Sequence, residues 1–305
     1  MSGTSWHCKR SGKEEPVRTF DSVGSERSNP LRWFLVCLLF LSCSAQGATD
    51  PGDLQSDAIQ ITFLDVGQGD GVLVQTPGGA TALVDGGPDD FPNGLDDFNI
   101  ERLELVVASH PHADHIGGMV GVMNTYPVQF YMDNTDTHTT ATYRELIETL
   151  QQRTEITYLV AEPRIIQLGG AEIQVLPLLP QGSADLNNRS VGLVVRYGAF
   201  SAFLSGDSET EELTYWVDQG VVPDVTLLKA PHHGAADAIV PAFLGQAQPE
   251  VVVISVGVNT YGHPHPQALR AYRDIADTVM TTREQGPVTI VGYSDGRYEI
   301  RTGGA

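Results

Sequence analysis

The stretch SHPHADHIGG, Ser109 to Gly118, places three of the chain's nine histidines and an aspartate within six positions. Imidazole and carboxylate together suit zinc, with manganese as the alternative. An extended segment points alternate residues the same way, so His110 and His112 can face one ion while Asp114 and His115 face another. Gly117 and Gly118 let the backbone turn closely away from such a site. A lone histidine is more often a surface or hydrogen-bonded core residue; four ligand types at this spacing argue against that. Two more histidine pairs follow, His232 and His233 in APHHG and His263 and His265 in YGHPHP. Prolines stiffen the second of these turns, where His263 and His265 can protonate a leaving group or hold an anionic substrate. His138 stands apart from the clusters and reads as a loop residue.

Positioning these groups requires strands that end beside one another. ITFLDV and GVLVQT are short β-rich runs, TPGGA is a hairpin turn and TALVD is the return strand. LELVVAS is almost continuously apolar, as in a strand buried on both faces. ATYRELIETLQQR has helical spacing, with Tyr143, Leu146, Ile147 and Leu150 on one side. The second half echoes the first. GVLVQTPGGATALVDGG resembles GLVVRYGAFSAFLSGD, and ELVVASHPHADH resembles VTLLKAPHHGAAD. The expected fold is an α/β sandwich of two related βα half-repeats, strands face to face and helices outside. Both histidine clusters then follow a buried strand and can meet at a common edge.

Composition narrows the partners. The chain of 305 residues carries a formal charge of −20, and six of its 18 basic residues precede Trp33. Such an acidic chain repels polyanions at long range, which argues against coating nucleic acid through a basic face. A metal-lined cleft acting on a small-molecule or phosphodiester substrate remains compatible. The apolar run WFLVCLLFLSCSAQGA, Trp33 to Ala48, is shorter than the roughly 20 residues of a membrane span. It matches the core of a secretory signal with AQGA as a cleavage region, an uncleaved anchor or a lipidated Cys43 being the alternatives. Residues 1–48 are therefore expected to be a signal peptide or anchor, and 49–305 the exported folded domain, with the membrane met only through the first segment. All three cysteines precede residue 48, so disulfides do not staple the domain.

In order along the chain, FLDVGQGD, DGG, SHPHADHIGG, NNRS, SGD, APHHG and YGHPHP resemble the metallo-β-lactamase superfamily, and its ComEC-like branch in particular. The resemblance runs from about Ile61 to about Leu269. It implies a four-layer αββα sandwich with two divalent metal ions on the shared sheet edge, in agreement with the internal echo. It places His110 and His112 on the first ion, and Asp114, His115 and His233 on the second, with Asp207 bridging both. His232 is then a neighbour or acid, and Asp65 a support that bonds to the metal loop. Asn188 and Ser190 of NNRS are further supports. ComEC-type chains often carry aspartate where this chain has His112. Many superfamily members also supply another histidine shortly before the bridging aspartate; LNNRS stands there here, which leaves the first site more open.

The implied activity is hydrolysis of a phosphoester or phosphodiester by metal-activated water, with Asp114, His232, His263 and His265 as the catalytic set. No Walker loop is present, and no serine or cysteine nucleophile is needed. The alternatives are a β-lactamase or thioester hydrolase on the same fold, or an inactive metal-binding protein of the cell envelope. One fold hosts many chemistries, so the site must decide.

Overall fold

Fifteen strands among the described residues build two sheets. A computed structural model describes residues 57–88, 91–180 and 185–303, all within the compact unit Asp50–Ala305. The expected signal or anchor segment lies outside the described residues.

The first sheet contains β1 (Ala58–Phe63), β2 (Val72–Gln75), β3 (Thr81–Val84), β4 (Leu103–Val107), β5 (Val128–Asp133) and β6 (Thr157–Val160). The second contains β7 (Arg164–Leu168), β8 (Ala171–Val175), β9 (Leu193–Tyr197), β10 (Phe200–Leu204), β11 (Leu227–Lys229), β12 (Val251–Ile254) and β13 (Thr278–Thr281). Two C-terminal strands, β14 (Val288–Tyr293) and β15 (Tyr298–Thr302), return to the first sheet, where β14 pairs with β1 and β15 with β14. The run β1-β2-β3 is antiparallel and β3-β4-β5-β6 parallel. The run β8-β9-β10 is likewise antiparallel and β10-β11-β12-β13 parallel. The halves thus share one topology, and the echoed sequences fall on equivalent strands: β2–β3 with β9–β10, and β4 with β11.

Strand periodicity explains the continuous apolar runs. In β12, Val251 and Val253 enter the core between the sheets, while Val252 and Ile254 face the outer helices. In β2, Val72 and Val74 point inward while Leu73 packs outward. The outer layer of the first half includes helices Met119–Thr125 and Ala141–Gln152; that of the second includes Thr210–Asp218, Pro241–Ala247 and Pro266–Arg273. Helix Ala141–Gln152 starts at Thr140, whose side chain accepts from the Tyr143 amide, and buries Leu146. Full burial of a large side chain such as Trp216 or Phe203 contributes about 1.5–3 kcal/mol. The layers are therefore α, β, β, α. The loops after β3, β4, β10, β11 and β12 all leave from carboxyl ends of parallel or turn-back strands, which is where open sheets gather their chemistry.

Candidate metal centre

The loop after β4 runs from Ser109 through His110 into a helical turn, Ala113–Ile116, with His112 at its extended N-terminal cap. That change from extended to helical backbone separates the two ligand pairs. His110 Nε2 and His112 Nδ1 lie 2.9 Å apart. Asp114 points outward with its side chain 36% exposed, while His115 turns fully inward. The GQGD loop braces this turn: Asp70 N donates to Asp114 O at 3.2 Å. A Cβ on Gly69 would stand 2.2 Å from that same oxygen, so only glycine permits the approach.

The second half delivers Asp207 after β10 and His232–His233 after β11. Both histidines and Gly234 hold positive φ, +44°, +52° and +76°. For the two non-glycine residues this is uncommon and costs on the order of 1–3 kcal/mol each. The strained turn aims His233 Nε2 inward, 3.2 Å from Asp207 Oδ2 and 3.6 Å from Asp114 Oδ2. His115 Nε2 reaches the same Asp207 Oδ2 at 3.1 Å. One ligand atom from each of Asp114, His115, Asp207 and His233 lies within 4.8 Å of all the others.

The outer nitrogens show that this group suits a cation. His233 Nδ1 donates to the Ser255 carbonyl at 2.9 Å, and His115 Nδ1 sits 2.8 Å from Asp85 Oδ2. A carbonyl can only accept, so His233 carries a proton on Nδ1, and in its neutral form the ring turns a lone pair toward carboxylate oxygens. His233 Nε2 is buried with no hydrogen-bond partner. A divalent ion or an added proton reconciles these facing lone pairs, and outer-nitrogen partners of this kind orient metal-binding imidazoles. Burial disfavours the charged form of both rings, but Asp207 and its neighbouring carboxylates hold His115 and His233 well above the ordinary histidine range. Burial raises Asp207, yet His115, His233 and Lys229 hold it well below the ordinary carboxylate range. Asp114 is held at about 2, burial being outweighed by His115 and His233.

His110 and His112 differ. Burial and the neighbouring His115 push both below the ordinary histidine value, so they remain neutral imidazoles. Neither belongs to any of the groups of three or more ligand atoms found among the described residues. His138 is a loop residue as expected, yet its ring stands edge-on to His112 with centroids 5.6 Å apart, and its Nδ1 bonds to Thr140.

The remaining expected residues divide. His232 Nδ1 faces Glu209 Oε1 at 3.1 Å and Asp237 Oδ1 at 3.4 Å, while its Nε2 stands 3.9 Å from Asp207. His263 comes within 5.2 Å of the His232 ring, centroid to centroid. Ser190 Oγ accepts from the Asp207 amide at 3.1 Å, and Asn188 holds both Glu209 and the Glu212 amide. Two expectations are corrected. Asp65 does not support the metal loop: it is exposed and accepts only from Gly67 N at 3.4 Å, as the cap of its own turn. Its expected task falls to Asp70 and Asp85, both 1% exposed. His265 does not join His263 at the site; its Nδ1 accepts from Gln267 N and caps helix Pro266–Arg273.

Lys229 was passed over by motif reading. It is 1% exposed, and its Nζ lies 2.5 Å from Asp70 Oδ2, 2.6 Å from Gly206 O and 3.4 Å from Asp207 Oδ1. One buried ammonium thus joins a carboxylate from each half. The available signal was its isolation: after Lys13 the chain has no other lysine, and this one interrupts an apolar strand.

Comparison with known proteins bears on the same region. A model of the metallo-beta-lactamase superfamily matches residues 64–258, more than half of the chain. ComE operon protein 3 of Bacillus subtilis (strain 168) is 24% identical over 268 residues, covering 80% of this chain and 34% of the relative. Recombination protein 2 of Haemophilus influenzae is 25% identical over 315 residues, covering 99% of this chain and 37% of the relative. The chain therefore spans about a third of the length of these curated relatives. Among solved structures, the metallo-beta-lactamase fold protein YhfI from Bacillus subtilis superposes with a TM-score of 0.52 at 15% identity, over 80% of this chain and 100% of that one. The paired half-repeats, the edge-on convergence of their loops and these matches agree: the chain belongs to the metallo-beta-lactamase superfamily.

Proposed function

We propose that this chain is an exported, metal-dependent hydrolase of phosphodiester bonds. The observation that carries the hydrolytic reading is the four-ligand group Asp114, His115, Asp207 and His233, buttressed on its outer nitrogens, with Asp114 its most exposed member. The preference for phosphodiesters draws on the likeness to Recombination protein 2, and export on the apolar run Trp33–Ala48. In this reading the four residues hold one ion, and His110 with His112 hold a second beside it. Divalent ions bound there, zinc or manganese, supply Lewis acidity and a nucleophilic water near neutral pH.

The chain's own groups do the rest. Asp85 and the Ser255 carbonyl fix the imidazole tautomers, and Lys229 balances the buried carboxylates. Proton delivery to the leaving oxygen falls to His232 rather than His263. Burial lowers both, but Glu209 and Asp207 bring His232 above the ordinary histidine value, whereas burial with His232 and His233 brings His263 below it. At a given pH His232 therefore holds its proton more readily than His263, which suits it to the acid role. The substrate is a small molecule bearing the diester, the membrane is met only through the N-terminal segment, and nucleic acid does not coat the surface.

The test uses the full chain, stripped by chelation and reloaded with zinc or manganese, against bis(4-nitrophenyl) phosphate, a lactam and a thioester. Diester hydrolysis restored by metal, and faster than on the other two, is expected. Metal-restored cleavage of lactam or thioester alone would overturn the substrate class, and failure to bind metal would overturn the hydrolase reading.

A further inference from the structure

A cleft of about 510 Å³ opens beside Asp114, within the size range of small-ligand sites. Its opposite wall is the loop after β12. Two side chains of that loop, Val258 at 87% and Tyr261 at 74%, are the most exposed large apolar residues among those described. Isolated exposed apolar residues need no explanation. Here two stand on one short loop, at one cleft, next to the metal group.

The loop presenting them is held from several sides. Asn259 Oδ1 accepts from the amides of Tyr261, Gly262 and His263 at 3.0–3.1 Å. Its Nδ2 donates to the carbonyls of Gly257 and His263 at 3.0 and 2.8 Å. Gly257 packs on the GQGD loop so closely that a Cβ would lie 2.4 Å from Gln68 N. At the other end the His263 ring meets both His232 and Tyr261. The Tyr261 ring is thus exposed on an ordered support, and a ligand that stacks on it need not order the loop first.

Charge limits what can enter. Among the described residues, no lysine or arginine lines the cleft. A strand of nucleic acid, with a phosphate at every step, finds no cation to replace its counterions there, and the chain as a whole carries −20. A substrate with one phosphodiester charge, met at the metal group, and an uncharged flat remainder has no such difficulty. Aromatic side chains stack flat rings without reading their edges.

We propose that the cleft selects small single-charge diesters that carry a flat aromatic group, with Tyr261 as the stacking surface and Val258 as its apolar flank. This inference rests on the phosphodiester reading of the metal group, and the test separates the two. Binding of two probes that lack the nitrophenoxide leaving group, the monomethyl esters of phenylphosphonic and methylphosphonic acid, is measured calorimetrically on the zinc-loaded full chain. Turnover is measured in parallel on phenyl 4-nitrophenyl phosphate and methyl 4-nitrophenyl phosphate, which share a leaving group.

The native chain is expected to bind the phenyl probe at least about tenfold more tightly than the methyl probe. Tyr261→Ala should bring the ratio close to one, Tyr261→Phe should retain it, and Val258→Ser should reduce it less. In KM the phenyl diester should be favoured by less than the phenyl probe is, since both diesters carry the nitrophenyl ring. Equal affinity for the probes in the native chain overturns the proposal, as does a ratio unmoved by Tyr261→Ala. A single-stranded oligonucleotide that displaces the phenyl probe at lower concentration than the phenyl diester does also overturns it. Absence of diester turnover with the probe preference intact refutes the phosphodiesterase reading while leaving the ring-binding cleft standing.

Discussion

The pair Asp114–His115, which joins the group around Asp207, and the pair His110–His112 arise from one short loop, yet their surroundings differ sharply. Asp114 and His115 receive Asp207 and His233 from the second half and Asp85 and Asp70 from their own, with Lys229 tying Asp70 to Asp207 behind them. His110 and His112 face each other, with Ser109 Oγ behind His110 Nδ1 and the rings of His115 and His138 beside them, and with no carboxylate among the described residues within ion-pair distance. The first group is dense in compensated charge; the second is two neutral rings. Similar half-repeats therefore converge without producing symmetric sites. What differs is not the ligands that the histidine loop offers but what the opposite strand ends send to meet them. Charge balance and outer-nitrogen partners together hold a metal site, so the two positions should bind ions with unequal strength.

Removing Asp207 should have the largest effect. Asp207→Ala takes away the carboxylate that both inward histidines face, and turnover should fall by about a thousandfold or more, with metal content falling alongside. His112→Ala should instead lose only the weaker ion, leaving one equivalent tightly bound. Metal analysis after dialysis tests both, and equal losses from the two variants would break the asymmetry.

Lys229→Met should destabilise the fold by about 3–5 kcal/mol, since it leaves Asp70 and Asp207 buried without their shared cation. Bound metal partly replaces that charge, so the loss in urea midpoint should be larger after chelation than before it. An identical loss in both states would show that the ammonium and the metal group do not share their carboxylates.

Asp85→Ala leaves His115 Nδ1 without its acceptor, and metal affinity at the tight position should fall about 10- to 100-fold. Competition with a chromophoric chelator measures this. A chain with unchanged affinity would assign the orientation of His115 to packing alone.

The smallest expected change sharpens the comparison from behind the site. Glu212 accepts from Ser190 N and Ser208 Oγ, and burial lifts its carboxyl from an ordinary 4.5 to about 8 despite those hydrogen bonds. The folded chain therefore keeps a proton that the unfolded chain releases above its lower pKa. This contribution to stability is present below about 4.5 and is lost as pH rises through about 8. The slope in that window is at most about 1.4 kcal/mol per pH unit. Glu212→Gln should flatten it, which urea midpoints at several pH values between 5 and 9 would reveal.

Much of this architecture was legible in the sequence. The apolar runs at β4 and β11, each followed directly by histidines, disclosed both the buried strands and the edge where their loops meet. The pairing of GVLVQT with GLVVRY disclosed the half-repeat. The supports were harder to read because their partners are remote in the chain. Asp65 and Asp70 both flank the GQG turn, and nothing local distinguishes them; only the contact of Asp70 with Lys229 across the halves does so. His265 shares its HPHP setting with His263, but the following helix uses it as a cap. Local spacing can show that a histidine is near a site and still leave unstated which way it turns.

Lys229 has one further consequence. Among the described residues it is the only lysine, and its amine is sealed between a carboxylate of the first half and one of the second. To an amine-directed acylating reagent, the lysine side chains of the folded domain therefore offer nothing to react with. Acylation at this position becomes a clock for separation of the two halves: each modified molecule records one event in which the sandwich opened far enough to expose its interior seam.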